Sequence, residues 1–249
     1  MRGDFFMRIH IAGTDARAAY LAEALGEKGH EITAGAPCDL MILALPRSDM
    51  PPFLPDEGQK IVCGKVSDDF RKMAREKDWQ LFPILEDEIF TQENARLTAE
   101  GALFYAMQQA DFALQDARCT VIGYGRIGKA LTNMLRDLGA KVRVAARRKE
   151  SREEAGEGSV HTDDLPLLLP ETDLLFNTVP SPLLKKESLS LLPPHALLIE
   201  LASAPYGIDL DAAREMGLRA WLESAVPGRY CPKSAALAME RYLKRRDLL

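Results

Sequence analysis

Along this chain, short runs of apolar residues alternate with longer stretches in which apolar positions recur at three- and four-residue spacing. Such runs fit strands buried on both faces, and the helical spacing fits helices lying against them. The pattern predicts an α/β fold with a parallel sheet. Residues 8–13 (RIHIAG) read as the first strand. Thr14 is placed to cap the following helix, which carries Ala18, Leu21 and Leu25 on one face and stops at Gly29. Residues 39–46 (DLMILALP) read as a second strand and residues 60–64 (KIVCG) as a third, with the proline-rich loop 50–55 between them. A helix over 68–77 leads to Gln80-Leu81-Phe82-Pro83, which completes a small α/β unit near residue 90.

From Gln92 to Gln115 there is no proline, and Gly101 is the one glycine. Leu103, Met107, Ala110 and Leu114 form a helical stripe, which predicts a long helix joining two domains. A second series then begins. Residues 119–122 (CTVI) read as a strand, and a helix with Ile127, Leu131, Leu135 and Leu138 on one face runs to Gly139. The next strand covers 141–146, and further strands are expected at 173–181, ending in a polar–Pro turn, at 197–203 and at 218–222. No solenoid-type repeat is present.

A length of 249 residues suits one large or two small domains. With 47% hydrophobic and 28% charged residues, the composition is that of a globular chain. The formal net charge of −5 gives no support to a general nucleic-acid binder. No run of 18 uninterrupted apolar residues predicts a membrane span, and residues 1–7 lack the apolar centre of a secretory signal. Met7 reads as an alternative start, or residues 1–6 as a short extension. Cys38, Cys63, Cys119 and Cys231 are widely spaced, three of them in apolar, strand-like contexts, and His10, His30, His161 and His195 show no metal-ligand spacing. These features predict free thiols, no metal site and a cytoplasmic address.

The strongest local signal is Gly123-Tyr124-Gly125-Arg126-Ile127-Gly128, directly after a strand and opening a helix. Alone, G-x-G-x-x-G is a weak match. Within a complete βαβ unit it predicts a dinucleotide-binding Rossmann domain. Gly123 permits the tight turn, Gly125 lets backbone approach a pyrophosphate, and Gly128 lets the helix pack close to the strand. The helix N-terminus offers N–H groups to the phosphates. The end of the second strand separates NAD from NADP, and it reads Ala145-Ala146-Arg147-Arg148-Lys149 with no acid. Arg147 and Arg148 therefore favour NADP, although adjacent cations also suit a solvated turn. The next strand ends carry Asn177, Thr178, Val179, Pro180 and Ser203, which face the nicotinamide ribose and ring or serve as ordinary turn and cap residues.

These residues resemble the family of the dipicolinate synthase A subunit, from the enzyme of spore-forming bacteria that makes pyridine-2,6-dicarboxylate. The resemblance is strongest from about Thr98 onward. It rests on Gly13-Thr14-Asp15-Ala16-Arg17, Thr98-Ala99-Glu100-Gly101, the glycine turn, Ala146-Arg147, Asn177-Thr178-Val179-Pro180-Ser181, Leu201-Ala202-Ser203, Pro227-Gly228 and Pro232-Lys233-Ser234. It implies two domains like those of 2-hydroxyacid dehydrogenases: a short flavodoxin-like N-terminal α/β domain (1–91) and a doubly wound Rossmann domain (116–231). Helix 92–115 links them, and the last helix (232–249) returns to the first domain. It further implies NADP-dependent oxidation of a dihydrodipicolinate-type precursor during sporulation, together with a partner, a flavoprotein-like B subunit. The sequence departs from the family in a domain abbreviated between Thr33 and Val66, in Thr14 where a second glycine is usual, and in Ala204-Pro205-Tyr206 after Ser203.

That chemistry needs cations for two carboxylates. Arg17 and Lys233, each near a helix start, are the best candidates beside a role as solvated charges, and Arg229 is a third that the resemblance does not support. Glu100 or Ser203 is the candidate proton acceptor or relay. A homodimer is compatible with the acidic pI. The alternative within enzymes is a 2-hydroxyacid dehydrogenase-like NADP oxidoreductase, whose chemistry needs a His base and an Arg facing the nicotinamide. Here no Arg follows Ser203 until Arg214, and His161 and His195 precede strands. A non-catalytic NADP sensor is the alternative from another class.

Overall fold

The computed structural model describes residues 6–43, 45 and 51–249. The expected strand positions Ala44 and Pro46, the Met50 end of the proline-rich loop and the reading of the first five residues lie outside the described residues. In chain order the elements begin β1 (Arg8–Ala12), α1 (Ala16–Gly26), β2 (Glu31–Thr33), β3 (Leu40–Leu43), β4 (Lys60–Cys63), α2 (Asp68–Glu76), β5 (Gln80–Pro83) and α3 (Glu88–Gln109). There follow β6 (Arg118–Ile122), α4 (Arg126–Asp137), β7 (Lys141–Ala145), α5 (Lys149–Ala155), β8 (Leu174–Asn177), α6 (Lys186–Leu189) and β9 (Leu197–Glu200). The chain ends with α7 (Leu210–Glu215), β10 (Arg219–Leu222), α8 (Val226–Tyr230) and α9 (Pro232–Arg245). It divides into two compact units, Met1–Asn94 with Pro227–Leu249, and Ala95–Val226, so α3 is shared between them.

In the first unit the strands are all parallel, in the order β2-β1-β3-β4-β5. This is the flavodoxin-like order 2-1-3-4-5. Helix α9 packs on α1, where Leu21 and Leu25 meet Met239, Tyr242 and Leu243 in one core. Glu240 is buried beneath this pair and accepts from Lys28 and from Lys244 Nζ, the latter at 2.7 Å. Two details differ from the sequence expectation. Asp15, not Thr14, caps α1, because its Oδ1 accepts the Ala18 N–H at 2.9 Å. The helix also stops at Gly26, three residues before Gly29, whose positive φ of 87° carries the following turn. Strand β2 was not expected, being three residues long, partly exposed and without apolar alternation.

The second unit orders its parallel strands β10-β9-β8-β6-β7. Val160 adds one bridge outside β7, donating to Val144 O at 2.8 Å and accepting from Ala146 N at 3.0 Å. The set thus has the doubly wound Rossmann order 3-2-1-4-5-6, with the third strand reduced to one residue. Val121, Leu174, Phe176, Leu197 and Ile199 are buried on one sheet face against Leu131 and Leu135 of α4. Ile122, Leu175 and Leu198 are buried on the other with Leu165, Leu184 and Ala213. Cover on both faces is the reason these strands read as continuous apolar runs. The stripe expected on α3 is shifted: Met107 is 49% exposed, and Ala99, Ala102, Leu103 and Ala106 form the buried face. Among the described residues no helix is long and apolar enough to cross a membrane.

Candidate functional site

The strand order of the second sheet switches direction between β6 and β8, and open parallel sheets bind ligands at the C-terminal strand ends of such a switch point. The glycine turn sits there. Gly123 has φ +94°, and a Cβ built on it lies 2.4 Å from Thr178 Oγ1 and 2.7 Å from Val179 Cγ2. A Cβ on Gly128 lies 2.1 Å from the Gly123 carbonyl oxygen. Gly123 is thus required by its positive φ and by the Thr178 and Val179 side chains packed against it, and Gly128 by the backbone that approaches it. Gly125 differs, since its Cβ would meet nothing within 4 Å. It is exposed and forms the N-cap of α4 without a side-chain hydrogen bond. The first-turn N–H groups and the positive dipole end of a twelve-residue helix thus face the open side of the turn. Arg126 is exposed and Ile127 half-buried on that turn.

At the end of β7, Ala146 is buried, and Arg147 and Arg148 are exposed. Arg152 Nη1 donates to the carbonyls of Ala146 (3.0 Å) and Arg147 (2.6 Å), which holds the backbone under the two arginines. Neither guanidinium is paired with a carboxylate among the described residues.

The ends of β8 and β9 carry the next candidates. Asn177 is fully buried, and its Nδ2 donates to both oxygens of Glu200 (2.7 and 2.9 Å) and to Val179 O (2.9 Å). Its amide is therefore hydrogen-bonded inside the protein. Thr178 likewise spends its hydroxyl on Ile122 O at 2.8 Å, which fastens this strand end under Gly123. Val179 is half-buried, and Pro180 and Ser203 are exposed at the rim. Glu200, buried with no exposed surface, was not singled out from the sequence. Its signal was a lone acid inside the run Leu197-Leu198-Ile199-Glu200-Leu201.

The remaining candidates separate. Glu100 is exposed on α3, 3.5 Å from Arg96 in an i,i+4 pair. Arg17 is not the open cation expected. It is 7% exposed, with Nη2 donating to Asp15 Oδ2 (2.9 Å) and Leu45 O (2.8 Å). Lys233 is exposed in the first turn of α9, which has no side-chain cap. Arg229 is exposed and lies 5.0 Å over the Tyr230 ring.

His195 sits at the opposite sheet edge, with Nε2 3.0 Å from Asp173 Oδ1 just before β8. Arg118 grips the same carboxylate through Nε (3.1 Å) and Nη2 (2.8 Å). Those guanidinium hydrogen bonds hold the Asp173 carboxyl well below the usual carboxylate range. Burial pushes the thiols of Cys63 and Cys119 up to about 12, and none of the four cysteines is in a disulfide. Among the described residues no group of three His, Cys, Asp or Glu is placed to hold a metal ion.

An open Gly125, an uncapped α4 and two arginines without carboxylate partners at the second strand end fit a dinucleotide. Residues 91–212 match the family model of the D-isomer specific 2-hydroxyacid dehydrogenase NAD binding domain. The second unit is thus a nicotinamide-dinucleotide domain of dehydrogenase type. The chain is 31% identical over 176 residues to the dipicolinate synthase A subunit of Bacillus subtilis, an alignment covering 70% of this chain and 59% of that protein. The crystal structure of the Bacillus subtilis protein superposes with TM-score 0.82 at 25% identity, covering 97% of this chain and 95% of that one. The corresponding structure from Bacillus halodurans gives TM-score 0.82 at 23% identity, with 96% of each chain covered. Shared sequence and shared fold lead to one placement: the chain belongs to the family of the dipicolinate synthase A subunit.

Proposed function

We propose that this protein is an NADP-dependent oxidoreductase subunit that converts a dihydrodipicolinate-type precursor to dipicolinate during sporulation. It acts in the cytoplasm with a flavoprotein-like B subunit. The observation that carries the cofactor choice is the exposed, carboxylate-free pair Arg147 and Arg148, where an NAD site has an acid for the ribose hydroxyls. The relatives named above support the substrate class.

Bound at the turn, the nicotinamide supplies a hydride acceptor. The chain's own groups orient and neutralise. The backbone of 123–128 and the α4 N-terminus hold the pyrophosphate, and Arg147 and Arg148 hold the 2′-phosphate. Thr178, Val179, Pro180 and Ser203 border the ribose and ring through backbone and rim contacts. The precursor loses a hydride and a proton and becomes aromatic, so the protein's contribution is alignment of the ring and retention of two carboxylates. Lys233 is the carboxylate ligand, and Arg17, already paired, keeps the start of α1 in place. Ser203 is the proton relay.

The test is turnover. The purified chain is incubated with NADP, dihydrodipicolinate and the B subunit while dipicolinate and NADPH absorbance are followed. Equal rates of the two support the reading. Binding of NADP without turnover favours the sensor, and dipicolinate formed without NADPH assigns the oxidation elsewhere.

A further inference from the structure

One buried charge has no part in the steps above. Glu200 closes β9 with no exposed surface, and among the described residues no cation pairs with its carboxylate. Its acceptor positions are filled by neutral donors. Oε1 accepts from Asn177 Nδ2 at 2.7 Å and from the Ala202 N–H at 2.8 Å. Oε2 accepts from the same Nδ2 at 2.9 Å, from the Gly207 N–H at 2.8 Å and from the Ile208 N–H at 2.9 Å. Asn177 stands opposite Glu200 in the β8–β9 register and accepts the Val179 N–H at 3.2 Å through Oδ1. One carboxylate therefore joins residues 177–179 after β8 to residues 202–208 after β9. A Cβ at position 207 would lie 2.3 Å from Asn177 Nδ2, so the clamp closes only over glycine.

Removing a carboxylate from water without a cation costs several kcal/mol, which these hydrogen bonds must offset. An apolar side chain would fill the same space without that cost. What only the carboxylate provides is a set of convergent acceptor contacts that fixes the backbone of two loops at once. The loops so fixed carry Val179 and Ser203, the rim on which the nicotinamide end of the site depends.

We propose that Glu200 is a positioning residue for the nicotinamide end of the dinucleotide, acting through Asn177 and the backbone of residues 202–208. This rests on the dinucleotide reading of the glycine turn. The clamp's own hydrogen bonds stay on β8, β9 and the loops that follow them. It meets the glycine turn only through Thr178, which bonds to Ile122 O on β6, and among the described residues it makes no bond to α4 or to Arg147 and Arg148. Loss of the clamp separates affinity from ring placement.

NADPH is the probe, because its nicotinamide fluorescence rises when the ring is immobilised. Glu200→Gln keeps the shape but turns an amide donor toward the N–H groups it must accept. The expected result is an NADPH Kd within about threefold of wild type and loss of more than about half of the fluorescence enhancement. Gly207→Ala, which presses on Asn177 without altering charge, gives the same split and serves if Glu200→Gln does not fold. Unchanged enhancement overturns the proposal, as does parallel loss of Kd and enhancement. Failure of both variants to fold also overturns it, leaving Glu200 as fold maintenance. Wild-type protein to which NADPH does not bind by calorimetry refutes the dinucleotide reading instead, and wild-type binding without enhancement overturns the positioning proposal.

Discussion

The carbonyl oxygen of Gly123 sits 2.1 Å from where a Cβ on Gly128 would stand, whereas a Cβ on Gly125 meets nothing within 4 Å. The fold thus requires glycine at 128 and leaves 125 open, where the proposed reading places the pyrophosphate. Gly128→Ala forces backbone apart and is expected to lower stability by about 1–3 kcal/mol, read as a drop in Tm. Gly125→Ala should melt close to wild type yet weaken NADP by more than about tenfold, since its methyl group occupies the space where phosphate oxygens approach backbone. Equal behaviour of the two variants would remove the distinction.

Arg147 and Arg148 read the 2′-phosphate in this account. Arg147→Ala should raise the Kd of NADP by about tenfold or more and that of NAD by less than about threefold, because one charge-assisted hydrogen bond is worth roughly 1.5–3 kcal/mol. Titration calorimetry with both dinucleotides measures the ratio. A uniform loss would make the arginine a general phosphate attractor.

Lys233 opens α9 and is exposed. As a ligand of a substrate carboxylate, Lys233→Ala should raise the precursor KM by about tenfold while leaving the NADP Kd within about twofold. Steady-state kinetics beside a binding titration separates the two, and equal changes in both constants exclude the role.

Asp173 supplies a pH dependence with a defined sign. Hydrogen bonds from Arg118 hold its folded-state carboxyl below the usual range, with His195 adding a further contact. A depressed folded-state value gives stability that is present above the ordinary value of about 4 and is lost as pH falls through and below it. Asp173→Asn should therefore cost about 1–3 kcal/mol at pH 7, with the gap to wild type narrowing in part by pH 3 and further below it. Urea melts at the two pH values check this, and a constant gap would contradict it.

The sequence pattern made some parts of this molecule readable and hid others. The β6–α4–β7 unit was legible because each of its signals is local: an apolar run, three glycines at fixed spacing, and a helical stripe ending at Gly139. The place of Arg147 at the end of β7 was legible for the same reason. The pairing of Asn177 with Glu200 was not, because it exists only once β8 and β9 lie side by side in the register that sets these two residues opposite each other. Thr14 and Asp15 are both good caps, and only the backbone course decides that Asp15 reaches Ala18. Arg17 looked open because the carbonyl of Leu45 that it meets lies 28 residues away in the chain.

Thiol reactivity follows burial. Cys38, Cys63 and Cys119 are buried with thiols pushed up by desolvation, and Cys231 is half-buried. A thiol reagent at pH 8 should modify at most Cys231 in the folded protein and all four cysteines in denaturant. Rapid modification of Cys63 or Cys119 in the native state would contradict the packing around those strands.

The central claim is that a 2′-phosphorylated dinucleotide lies on the turn at residues 123–128, and calorimetric titration of the intact chain with NADP and with NAD tests it most directly. The account predicts that NADP binds at least about tenfold tighter than NAD and, as a ligand of the folded state, raises Tm more at equal concentration. Binding of neither dinucleotide, or NAD binding as tightly as NADP, would contradict it.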